Sequence, residues 1–171
     1  FAYLTPHRFP RAGDAARGLR AALLPDPRWA RSDLKTTMLL PAVLAKGEAR
    51  RRGADEALLV GADGHLHEGG SSNLFVLRGR RLSSPIQRPH LLPGITRELV
   101  AAEAADLDLE VVRTTVTVVD LQAADEAFVT ATSLGVMPLV AVDDRPVGAG
   151  AAGPVATELA RRLRIALGID D

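Results

Sequence analysis

Two β-hairpins written back to back constrain this chain more than any other feature. Ala57-Leu58-Leu59-Val60 and Leu66-His67 flank Gly61-Ala62-Asp63-Gly64, and the Asp-Gly pair suits a tight reversal. Leu74-Phe75-Val76-Leu77 and Arg81-Leu82-Ser83 then flank Arg78-Gly79-Arg80. A third hairpin signal joins Leu139-Val140-Ala141-Val142 to Arg145-Pro146-Val147 through Asp143-Asp144. Hairpins give antiparallel pairs, so an all-parallel doubly wound sheet is excluded. Helical periodicity sits between them. Leu39, Leu40, Val43 and Leu44 predict a helix over residues 37–52, with an apolar side. Arg50, Arg51 and Arg52 fall in its last turn and Gly53 can cap it. Pro93-Gly94-Ile95-Thr96-Arg97-Glu98 opens a second helix, and residues 154–167 read as a third, carrying Val155, Leu159, Leu163 and Leu167. The fold class that follows is α+β.

The remaining strands are shorter signals. Residues 18–24 read as a strand ended by Pro25-Asp26-Pro27. Residues 110–113 and the β-branched run 114–119 read as strand, and 127–130 as a strand of the buried type. Residues 1–4 read as the last strand of a preceding small domain, and residues 5–13 as a linker. The expected division is therefore 1–17 for the end of that domain and the linker, and 18–171 for the cofactor-binding domain. The small N-terminal domain itself is expected upstream of the chain.

Composition removes several functions. The chain has 171 residues with 21 basic and 21 acidic side chains, so no basic footprint for nucleic acid or anionic lipid exists. It has no cysteine, which excludes thiolate nucleophiles and zinc thiolate sites. No apolar run reaches membrane-spanning length, and the expectation is a cytoplasmic protein. His65 and His67 share a strand face, but no carboxylate pair accompanies them. They read as exposed hairpin histidines, and no metal site is expected.

Chemistry concentrates at four places. Lys35 lies in Ser32-Asp33-Leu34-Lys35-Thr36-Thr37, where an extended stretch meets the first helix. A helix N-terminus favours the free amine there, which Schiff-base chemistry requires. Glu68 precedes Gly69-Gly70-Ser71-Ser72-Asn73, where two glycines admit a close ligand and three short side chains offer hydrogen bonds. Gly94-Ile95-Thr96 places backbone amides at a helix start, an anion seat. Thr130-Ala131-Thr132-Ser133 is a hydroxyl-rich loop after a buried strand.

In this order and spacing, Lys35, Glu68-Gly-Gly-Ser-Ser-Asn-Leu-Phe, Leu92-Pro93-Gly94-Ile95-Thr96-Arg97, Asp125-Glu126-Ala127-Phe128 and Thr130-Ala131-Thr132 resemble the class IV (fold-type IV) pyridoxal-phosphate enzymes. The D-amino acid and branched-chain aminotransferase branches are most similar. The resemblance implies a mixed sheet or pseudo-barrel with flanking helices, pyridoxal 5'-phosphate as cofactor, a homodimer, and transamination between an amino acid and a 2-keto acid. It implies that Lys35 carries the cofactor and shuttles the proton, and that Glu68 faces the pyridine nitrogen. The Ile95 and Thr96 amides would hold the phosphate, and Thr132 would add a contact. Thr132 and Ser133 would meet the substrate carboxylate. Ser71, Ser72 and Asn73 would line the ring or support Glu68, and Arg28 would lie near the cofactor. The family often has Asn or Gln where this chain has Met38. Two alternatives are an aminodeoxychorismate lyase of the same fold, and a domain kept for binding or dimerisation alone.

Overall fold

The computed structural model describes Pro6 and residues 8–169. Its centre is one mixed sheet in the order β3-β2-β1-β8-β7-β4-β5-β6, with β9 paired to β8. The strands are β1 (Leu19–Pro25), β2 (Glu56–Val60), β3 (Leu66–Gly69), β4 (Asn73–Arg78), β5 (Arg81–Pro85), β6 (Glu110–Thr114), β7 (Glu126–Ala131), β8 (Gly135–Val142) and β9 (Arg145–Pro146). The three expected hairpins are β2–β3, β4–β5 and β8–β9. Asp143 and Asp144 turn the last one with φ of 45° and 61°, the two positive values a two-residue hairpin loop needs. β1 pairs in parallel with both β2 and β8, and β5 with β6.

The sheet curls until its ends meet. His65 bridges Thr117, and Leu66 N–H donates to Val116 O at 2.8 Å, which links the β3 edge to the chain leaving β6. This closure makes the pseudo-barrel. Its interior holds Leu19, Leu58, Leu74, Val76, Val129 and Leu139. Their neighbours in sequence point outward. Phe75, Leu77 and Phe128 pack under α3 (Ile95–Ala105) and α5 (Pro154–Ala166). Ala22, Ala57 and Leu59 pack under α2 (Leu40–Arg51). Side chains alternate across a strand, so a strand buried on both faces reads as an unbroken apolar run. That is the pattern of Leu74–Leu77 and of Ala127–Val129 in β7.

Five sequence expectations are corrected. α2 starts at Leu40, not residue 37, because Pro41 takes a first-turn position. It packs through Ala45 and Ala49, while Leu39, Leu40, Val43 and Leu44 are each about 60% exposed. The helical periodicity is real, but the apolar stripe faces outward. α2 ends in a Schellman turn: Ala54 N–H reaches Ala49 O at 2.9 Å, Gly53 N–H reaches Arg50 O at 3.0 Å, and Gly53 has φ of 75°. The stretch 114–119 is not one strand. Thr117 and Asp120 form a capping box that starts α4 (Val118–Gln122). The expected linker contains α1 (Ala12–Arg17), and Leu167 is the cap of α5 rather than part of its buried side. The expected strand at residues 1–4 lies outside the described residues.

Candidate active site

Glu68 is the third residue of β3, and Asn73 is the first of β4. The turn between them is closed by Gly69 N–H to Ser72 O at 2.7 Å. A Cβ on Gly69 would stand 2.0 Å from Ser72 Oγ, so any larger residue would displace the Ser72 hydroxyl. The Glu68 side chain is 4% exposed. Its Oε2 accepts from Asn73 Nδ2 at 2.8 Å, its Oε1 accepts from Arg28 Nη1, and Leu92 N–H reaches both oxygens at 3.3 Å. Burial pushes the Glu68 carboxyl up; the Arg28 charge and the Leu92 amide oppose this without cancelling it.

Arg28 is itself gripped. Its Nε and Nη2 donate to Asp26 at 2.9 and 2.8 Å, and Nη2 also donates to His90 O at 2.9 Å. Burial would raise the Asp26 carboxyl, but hydrogen bonds from His67 and Arg28 outweigh it and hold Asp26 well below the usual carboxylate range. His67 Nδ1 lies 2.9 Å from Asp26 Oδ2, and its ring stacks on His90 at 3.7 Å between centroids. His67 is therefore buried, which corrects its reading as an exposed hairpin histidine. Burial also pulls the His90 ring below the ordinary histidine value. Asp26 and Glu68 share the one Arg28 guanidinium, and the His67 ring closes on Asp26 from the other side.

Asn73 also connects Glu68 to the start of α3. Its Nδ2 donates to Leu92 O at 3.0 Å, and a Cβ on Gly94 would stand 1.9 Å from its Oδ1. Gly94 caps α3 without a side-chain bond, and the Ile95 and Thr96 amides occupy the first turn, where no intrahelical acceptor exists. Asn73 pairs across the sheet with Thr130, whose buried Oγ1 has no hydrogen-bond partner among the described residues. Thr132 and Ser133 follow on the exposed β7–β8 turn.

Ser71 and Ser72 point elsewhere. Ser72 Oγ donates to the buried Glu56 at 3.0 Å, and Lys46 Nζ donates to Ser71 Oγ at 2.9 Å. Lys35 is exposed in the segment between β1 and α2, five residues ahead of the helix. The dipole acts within the first turn, so the helix-start argument for this amine does not carry over. Its segment is tethered by Asp33 N–H to Pro89 O at 2.9 Å, in the same loop that delivers Leu92 to Glu68. Among the described residues, no group of three or more His, Asp or Glu side chains is placed to hold a metal ion.

Sequence reading misses Asp26, His67 and His90 as site residues. Asp26 reads as turn punctuation between prolines, and no spacing rule links a histidine on β3 to one in a later loop.

The pattern described as amino-transferase class IV matches residues 1–142. This chain belongs to the class IV aminotransferases. It is 32% identical over 162 residues to a probable branched-chain-amino-acid aminotransferase of Aquifex aeolicus, covering 90% of this chain and 51% of that one. It is 36% identical over 146 residues to a D-alanine aminotransferase of Staphylococcus haemolyticus, covering 85% and 51%. Among solved structures, the T.th. branched-chain amino acid aminotransferase with pyridoxamine 5'-phosphate superposes with a TM-score of 0.82 at 35% identity. It covers 90% of this chain and 52% of that one. The Thermobaculum terrenum enzyme in its PLP form gives a TM-score of 0.84 at 27% identity, covering 96% and 55%. As a class IV aminotransferase, the chain thus spans about half the length of the relatives it matches.

Proposed function

We propose that residues 18–171 form the cofactor-binding domain of a pyridoxal-phosphate-dependent transaminase, and that a further domain completes the pocket. The Glu68–Asn73–Gly94 connection carries this reading. It joins a buried acid, whose guanidinium partner is shared with Asp26, to a helix start with open amides. A protonated pyridine nitrogen would suit the Glu68 carboxylate, and a phosphate suits the Ile95 and Thr96 amides. The residues present therefore fit the cofactor. Bound pyridoxal phosphate supplies an electron sink that labilises the amino acid Cα–H bond.

The chain's own residues do the rest. Glu68 holds the ring-nitrogen proton. Arg28 and Asn73 fix the Glu68 carboxylate, and Arg28 favours its ionised form against burial. Lys35 binds the cofactor aldehyde and moves the proton at the substrate Cα. Thr132 adds a hydroxyl at the phosphate, and the Thr132 and Ser133 amides meet the substrate carboxylate. Ser72 acts indirectly, by holding the glycine turn through Glu56.

The substrates are an amino acid, of the D or branched-chain kind, and a 2-keto acid; the mixed names of the relatives support both readings. They do not favour the lyase. A homodimer fits the outward apolar stripe of α2, and a cytoplasmic site fits the described helices, none of which is long and apolar enough to cross a membrane. The test is to incubate the full-length protein with pyridoxal phosphate, reduce with borohydride and map the peptides. The label is expected on Lys35. A label on Lys46 alone, or none, overturns the reading. Titration with D-alanine and then L-leucine identifies the amino donor.

A further inference from the structure

We propose that Arg97 is a positioning residue: it clamps the loop of residues 86–94, and through that loop it fixes Glu68 relative to the segment bearing Lys35. The proposal rests on the reading of Glu68 and Lys35 given above. Arg97 is 1% exposed, in the first turn of α3. It makes no ion pair among the described residues, and its Nε has no hydrogen-bond partner. A buried cation without a carboxylate is unfavourable, and the positive end of a helix makes it more so. Burial and then the nearby Arg113 charge pull the Arg97 guanidinium down to about 10.

What Arg97 does hold is the loop. Its Nη2 donates to Pro85 O at 2.6 Å, at the loop's root, and its Nη1 donates to Gln87 Oε1 at 3.2 Å. Gln87 Nε2 passes the restraint on to Leu91 O. A guanidinium fork can reach two acceptors in different directions at once; a lysine ammonium on a flexible stem does not fix both.

The braced loop then touches each part of the cluster. Pro89 O accepts from Asp33 N–H at 2.9 Å, two residues before Lys35. His90 O accepts from Arg28 at 2.9 Å. Leu92 donates to Glu68 at 3.3 Å and accepts from Asn73 at 3.0 Å. These partners belong to the end of β3, the start of β4 and the long connection from β1 to α2. Release of the clamp frees all of them together.

The test compares Arg97→Lys, Arg97→Met and Gln87→Ala in the full-length protein by amide hydrogen exchange. Expected is exchange about tenfold faster or more at Asp33, Leu91 and Leu92 in all three, with the β4 and β7 amides unchanged. With pyridoxal phosphate added, the pH midpoint of its absorbance change shifts in the same three variants. Unchanged loop exchange overturns the proposal. So does full restoration by lysine, which would assign the effect to charge and not to the fork. If the Arg97 variants do not fold, Gln87→Ala decides alone, because Gln87 is exposed and outside the core. If the unsubstituted protein takes up no pyridoxal phosphate, the functional reading falls while the exchange experiment still judges the clamp.

Discussion

Asn73 donates to Glu68 across 2.8 Å, from the first residue of one strand to the acid of the preceding one. The same amide nitrogen reaches Leu92 O, so one side chain registers two strands and the loop that covers them. Asn73→Ala leaves a buried carboxylate short of a donor. The expected loss is about 1–3 kcal/mol of stability, and the Glu68 carboxyl moves further up. Thermal unfolding measures the first effect, and a pH titration of the bound cofactor's absorbance measures the second.

Asp26 makes the pH dependence of stability readable. Its carboxyl is held low in the fold, so its contribution is present above the unfolded value and is lost as pH falls toward the folded one. Asp26→Asn therefore costs about 3 kcal/mol at pH 7. The gap to the unsubstituted protein starts to shrink below about pH 4 and keeps shrinking in stronger acid. Glu68 has the opposite sign. Its carboxyl is raised, so the stability it gives belongs to low pH and is lost as pH rises through the folded value. Urea denaturation across pH checks both; a gap for Asp26→Asn that widens in acid would contradict the assignment.

Two glycines separate close approach from helix propensity. Gly94→Ala drives a methyl into Asn73 Oδ1, and a loss of about 1–3 kcal/mol is expected. Gly47 lies inside α2 with nothing within 4 Å of an added Cβ, so Gly47→Ala gains about 0.5–1 kcal/mol. Denaturant midpoints at constant slope compare the pair.

Leu40 and Leu44 are 66% and 62% exposed. Replacing both with glutamate changes the chain's own stability by no more than about 0.5 kcal/mol per site, since neither supports the core. It lowers self-association, which sedimentation velocity of the full-length protein detects. Unchanged association would remove α2 from the interface.

Local signals carried most of the fold. The Asp-Gly turn, the apolar runs and the Pro-Gly helix start each act within a few residues, and each is found where the pattern places it. The α2 stripe could not be placed by pattern, because periodicity states which residues share a face and not what covers that face. Thr117 and Asp120 did carry a legible start signal, which β-branched composition hid. At the site, Glu68 contacts both Asn73 and Arg28. The Asp26–His67–His90 cluster depends on a hydrogen bond between residues 41 positions apart and on the stacking of His67 on a histidine from a later loop. No local rule reaches that far.

β4 and β7 lend alternate side chains to the barrel interior and to the layer under α3 and α5. Neither compartment can melt while the other survives, because each is half built from the other's backbone. Heat should therefore take the molecule apart in one cooperative step. The acid at the end of β3, anchored to the first residue of β4, keeps its place until that step arrives.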